Sequence, residues 1–222
     1  MSHDSDLQLA VLAELSWEPS IVAAHIGVTA QDGVVTLSGH VDSFVQKHAA
    51  EDAAGRVKGV HAVAGELEVE LAFDHRRDDA DVAAAALERL AWDVSVPRNA
   101  IGLEVEGGWV TMTGTVDWHF QREAAEQAIR PLAGVVGISN QVVIKPRFSG
   151  GNLADNIMHA LHRSWFFDPQ TIKVSAQDGD VRLTGVVKSW HDRRVAAETA
   201  WAAPGVTSVK NDISVVSVPR QN

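Results

Sequence analysis

His159 and His162 stand three residues apart in a stretch of helical periodicity, close enough to share one helix face. Two imidazoles so placed could open a metal site, but zinc takes three or four protein ligands, and no H-E-x-x-H run supplies them. His119 and His191 follow Trp118 and Trp190, and the ten histidines do not keep equivalent places along the chain. They read as surface histidines, so no metal and no cofactor is expected. Asp42 and Asp117 share a position just after a strand, yet Lys188 stands at the corresponding place further on. That suits solvated turn carboxylates better than a shared acid or base. The absence of cysteine removes thiolate catalysis, disulfides and thiolate metal sites together. The sequence holds no Gly-rich Lys-Ser/Thr loop, dinucleotide fingerprint or G-x-S-x-G elbow. No catalytic residue is predicted, and the chain reads as a non-enzyme.

Binding chemistry has better candidates. "RSWFFDP", residues 163–169, puts Phe166 and Phe167 side by side after a helix, where two successive aromatics cannot easily both point inward. Arg193 and Arg194 follow Trp190 at the start of the next helix and add cationic charge. Aromatic plus basic is what an anionic membrane surface favours. The same phenylalanines could instead pack against the preceding part of the chain or another subunit. Trp109 is a further exposed candidate, on the opposite strand parity from Val110 and Met112.

The elements that would carry these residues come in triplicate. Gly33 and Gly39, Gly108 and Gly114, and Gly179 and Gly185 are each six apart, and Gly59, Gly134 and Gly205 follow twenty residues on. Ile26, Ile101 and Ile172 each precede their set by seven. Each copy opens with a helical pattern: Leu7, Val11, Leu12 and Leu15; Val82, Ala86, Leu87 and Leu90; Leu153, Ile157, Leu161 and Trp165. Trp17, Trp92 and Trp165 close these segments, and a position shared by all copies reads as core. A hairpin follows, turning at Asp32-Gly33 and its equivalents. An alanine-rich helix comes next, which the third glycine of each set is expected to stop. A last strand carries Leu67, Val69 and Leu71, then Val142 and Ile144, then Ile213 and Val215. The chain is predicted to be α+β: three tandem α-β-β-α-β units over 1–73, 78–146 and 151–218, each a three-stranded mixed sheet with two helices on one face. The first glycine of each set is expected to serve the turn. The second sits in the apolar row of its strand, where a missing Cβ would admit a helix or a bulge. The linkers are expected near Phe73 to Arg77 and Pro146 to Gly151.

"DGVVTLSGHV…GVHAV", "GGWVTMTGTV…GVVGISNQVVI" and "DGDVRLTGVV…GVTSVKNDISVV" resemble the BON (bacterial OsmY and nodulation) domain, over nearly the whole chain. The first copy departs in having Gly65 where Asn140 and Asn211 stand later. Proteins similar to this include osmotically inducible periplasmic proteins, outer-membrane maintenance lipoproteins and a cytoplasmic potassium-binding protein. The resemblance implies a non-enzymatic protein that attaches to phospholipid or to envelope-associated partners, in an osmotic or general stress response. It leaves open a cytoplasmic scaffold or sensor that holds an ion such as potassium, or a small ligand, between repeats.

Charge bounds the partners. The net charge of −10 argues against nucleic acid, which needs a basic face. Residues 1–75 hold 3 basic and 12 acidic residues, 76–147 hold 8 and 10, and 148–222 hold 8 and 7. That asymmetry suggests self-association between the acidic first repeat and the less acidic third. The N-terminus shows no basic region followed by an apolar run, so the expected address is the cytoplasm, or the periplasm where a leader has been removed.

Overall fold

The computed structural model describes residues 3–146, 152–163, 171–187 and 189–216. The first copy runs α1 (His3–Trp17), β1 (Ile26–Gln31), β2 (Val34–Val41), α2 (Phe44–Arg56) and β3 (Ala62–Val69). The second runs α3 (Asp79–Trp92), β4 (Ile101–Glu106), β5 (Trp109–Val116), α4 (His119–Ile129) and a last strand in two pieces, β6 (Gly137–Asn140) and β7 (Val143–Ile144). The third runs α5 (Leu153–His162), β8 (Ile172–Gln177), β9 (Asp180–Val187), α6 (Trp190–Trp201) and β10 (Ser208–Val215). This is α-β-β-α-β three times, an α+β fold. The chain divides into two compact units, Met1–Thr113 with Ala124–Gln141 and Gly114–Glu123 with Val142–Asn222, so the division runs through the second copy. No helix among the described residues is long and apolar enough to cross a membrane.

In the first copy β2 is the centre strand, antiparallel to β1 and parallel to β3. A parallel pair cannot be closed by a tight turn, and α2 supplies the crossover. The third copy repeats this with β9 between antiparallel β8 and parallel β10. In the second, β5 pairs in parallel with both β6 and β7, with β4 on its other side. Alternation decides which sheet face is covered: Ile26, Val28, Val35, Leu37, Val41 and Leu67 share one core with Leu7, Val11 and Leu15 of α1 and Ala50, Ala53 and Ala54 of α2. Both helices therefore lie on one face. Burying each such leucine or valine contributes roughly 1.5–3 kcal/mol, while the alanines let α2 sit close against the strands. The second helix buries Ala50, Ala53 and Ala54, with Val57 partly buried beside them. Leu87, expected inside, is exposed.

All nine anchor glycines have positive φ, between 78° and 135°. At the hairpin turns the residue before the first glycine is also positive (Asp32 at 49°, Gly107 at 56°, Asp178 at 51°), which is the pattern of a type I′ turn. The turn glycine meets the third glycine of its own set. A Cβ on Gly179 would lie 2.7 Å from the Gly205 carbonyl oxygen and one on Gly33 3.1 Å from that of Gly59, and at Gly108 it would run into Gly134. The helices end at Arg56, Ile129 and Trp201, before those third glycines, which instead form the turn into the last strand. That turn is tied to the hairpin by backbone bonds, with Gly33, Gly108 and Gly179 accepting from His61 (2.6 Å), Val136 (3.0 Å) and Thr207 (2.8 Å).

The second glycine differs from expectation. Gly39 is exposed and Gly114 and Gly185 are half-buried, and the nearest atoms to a Cβ on Gly39 or Gly185 belong to no helix that packs on the sheet. A Cβ on Gly39 would strike the His25 carbonyl, and one on Gly185 the Thr171 carbonyl, so the intruding group is the backbone leading into the neighbouring strand.

Candidate binding site

Two tryptophans expected in the core are outside it. Trp17 ends α1 with 85% of its surface exposed, and Trp92 ends α3 with 79% exposed. They occupy the same repeat position, so the exposure is shared by the first two copies. The helix face explains it: Leu7, Val11 and Leu15 in α1, and Val82, Ala86 and Leu90 in α3, fill the buried stripe, and the closing tryptophan falls just past it. Next to Trp17, Glu18 accepts from the Ser20 hydroxyl at 2.8 Å and, with Glu14, clamps Arg56 at 3.3 and 3.1 Å. The Ser20 bonds are the main reason the Glu18 carboxyl lies below its ordinary range. Trp165, the third equivalent, lies outside the described residues, as do Phe166 and Phe167.

The remaining aromatic and basic candidates separate. Trp109 is 50% exposed as parity suggested, but its ring lies against Gly137, directly across the parallel pair. Trp190 is half-buried, with the Arg193 guanidinium 5.1 Å above its ring. Arg193 is not available to a surface. Its Nε donates to the Ile213 carbonyl at 2.9 Å and its Nη2 to the Asn211 carbonyl at 2.7 Å, fastening α6 to β10. Lys47 does the same in the first copy, donating to the Leu67 carbonyl at 2.8 Å. Arg194 points elsewhere, its Nε 3.8 Å from Glu198.

Arg194 borders a cleft of about 620 Å³ between the start of α4 and the face of α6. There His119 stacks on Trp201, ring centroids 4.0 Å apart and planes 15° from parallel. The imidazole side chain is only 16% exposed, so it is not the surface histidine expected. Burial, and then the charge of Arg122, pushes its pKa down to about 4, which makes it neutral at pH 7. His159 and His162 are both exposed, and among the described residues no three His, Asp or Glu side chains gather as metal ligands. Asp42 and Asp117 are half-buried at the bend between strand and helix, where Ser43 caps α2 by accepting from the Gln46 amide at 3.3 Å.

Models of the BON domain match residues 3–70, 78–146 and 149–217. The chain belongs to the BON domain family. This BON chain is 32% identical over 147 residues to the osmotically-inducible protein Y of Escherichia coli (strain K12), covering 64% of the chain and 73% of that protein. Among solved structures it is similar to CdsD, a structural protein of the type III secretion system of Chlamydia trachomatis, at 18% identity over 96% of this chain and 93% of that one. The TM-score of that superposition is 0.27, too low to bear on fold or function.

Two positioning residues of the BON unit were missed in the sequence. Asp4 accepts from the Asp32 amide at 3.0 Å, and Asp79 accepts from the Gly107 and Gly108 amides at 2.9 and 2.8 Å, pinning each hairpin turn to the start of its leading helix. Their shared spacing to the turn glycines was the available signal. The departure at Gly65 also has a cause: the Glu51 carboxylate fills the space its side chain would take. In the second copy the equivalent Glu126 accepts from Asn140 Nδ2 at 3.0 Å instead.

Proposed function

We propose that this chain is a non-enzymatic docking protein whose target is a phospholipid surface, acting in an osmotic or general stress response. Membership of the BON family and the likeness to an osmotically-inducible protein support the setting. The observation that carries the docking is the pair of repeat-equivalent exposed tryptophans, Trp17 and Trp92. An indole has an apolar body and a polar N–H, the combination favoured at a membrane–water boundary. Arg193 is spent on β10 and is left out of the proposed contact. With a net charge of −10, the chain is repelled by an anionic bilayer over about 8 Å at physiological salt, which favours a zwitterionic surface.

Flotation tests this with phosphatidylethanolamine–phosphatidylcholine vesicles and with phosphatidylglycerol vesicles. The expected result is flotation with the first, weaker flotation with the second, and loss in Trp17→Ser/Trp92→Ser. A parallel Phe166→Ser/Phe167→Ser variant reports the third copy's share. If the wild type stays at the bottom with both vesicle types, the lipid reading fails.

A further inference from the structure

Each sheet has one face that its own helices leave uncovered, and these faces differ in charge. In the first copy the core takes Val35, Leu37 and Leu67, so alternation turns Ser38, His40, Glu66 and Glu68 to the other side. His40 stacks there on His25. Neither Lys nor Arg occurs in β1, β2 or β3. The copy's basic residues lie elsewhere: Lys47 and Arg56 on α2, and Lys58 in the turn after it. Glu66 and Glu68 are exposed and form no ion pair with a described residue. With histidine counted as neutral, the strands give this face two negative charges. In the third copy the core takes Ile172, Val181, Leu183 and Ile213, and every charged strand residue falls on the uncovered side. These are Lys173, Arg182 and Lys210 against Asp180 and Asp212, one net positive charge. Asp212 takes up Arg182 at 2.7 Å, and Asp180 accepts from the Ser208 hydroxyl at 2.6 Å. Lys173 and Lys210 are exposed and form no ion pair with a described residue.

We infer that the uncovered sheet face of the third copy packs on that of the first copy of a second chain. The charge of the whole copies favours the same pairing, since residues 1–75 hold 3 basic and 12 acidic residues and 148–222 hold 8 and 7. Val34 and Val186 add one exposed apolar side chain to each face. The second copy also turns Glu104 and Glu106 outward, but there the Trp109 ring lies over Gly137 and bars flat packing. Because the two faces differ, each added chain leaves one of each kind free, and association runs head to tail without a fixed end. Three strands about 4.8 Å apart and about 20–27 Å long offer about 300–400 Å² per face. That is about half of the 800 Å² per partner typical of a stable interface, so the contact is weak and concentration-dependent. Trp17 and Trp92 end helices and lie on neither face, so the contact does not depend on lipid docking.

Sedimentation velocity of the intact chain over a range of concentrations tests this, at about 0.1 M and about 1 M salt, where charges are screened beyond about 10 Å and about 3 Å. The sedimentation coefficient should rise with concentration at the lower salt and stay constant at the higher. Lys173→Glu/Lys210→Glu and Glu66→Lys/Glu68→Lys should each stay monomeric, because each then presents two faces of like sign. Mixed in equal amounts they should associate again, since each supplies the face that the other has lost. That recovery requires both variants to be folded, and neither variant's altered net charge produces it alone. Glu104→Lys/Glu106→Lys should associate as the wild type does. A wild type that stays monomeric throughout, equal association at both salts, no recovery in the mixture, or loss in the Glu104/Glu106 variant alone overturns the contact.

Discussion

Gly185 has φ of 135°, and a Cβ there would stand 3.0 Å from the Ile172 Cα as well as against the Thr171 carbonyl. Both obstacles are backbone, so nothing can rotate away. Gly185→Ala should therefore destabilise by upwards of about 1 kcal/mol in urea unfolding. A neutral midpoint would mean that the strand lead-in yields. His119 offers a second test at this scale. Unfolded, its pKa is the ordinary 6.5, whereas folded it lies at about 4. At pH 5 the unfolded chain binds a proton that the folded chain does not, so stability is full above about pH 6.5 and falls as pH drops toward 4. Wild type should lose more melting temperature between pH 7 and 5 than His119→Phe, which keeps an aromatic ring against Trp201. Equal losses would show that this imidazole does not titrate as its burial requires.

The elements were largely legible in the sequence, because the glycine spacing marks both turns and the period-2 and period-3.6 patterns mark strands and helices. What the pattern could not show was the use of particular residues. Trp17 and Trp92 looked like core because they recur, yet recurrence is equally consistent with a repeated surface, and only the helix stripe distinguishes the two. Arg193 looked like a surface charge because it follows Trp190; its reach to β10 depends on a crossover that spacing alone does not fix. That reach is a claim about elements. Arg193→Met keeps the stem over Trp190 and removes the bonds to Asn211 and Ile213. It should cost about 1–3 kcal/mol, measured by chemical denaturation, with hydrogen exchange rising first at β10. Uniform exchange with no loss of stability would contradict the fastening role.

At the scale of the whole molecule, the repeated glycine motif builds a scaffold, and the proposed function belongs to what each copy leaves outside it. Tandem copies matter for docking because weak contacts on one chain act together once the first has bound. Single Trp17→Ser and Trp92→Ser variants should then each weaken binding by more than half of the double variant's logarithmic loss. The most direct measurement is quenching of tryptophan emission by brominated phospholipid in zwitterionic vesicles, comparing wild type with Trp17→Ser/Trp92→Ser. If these indoles enter the interface, brominated lipid should quench wild-type emission strongly, and the double variant should show little quenching from its five remaining tryptophans. Equal quenching in the two proteins, or none in either, would contradict docking through the repeated tryptophans.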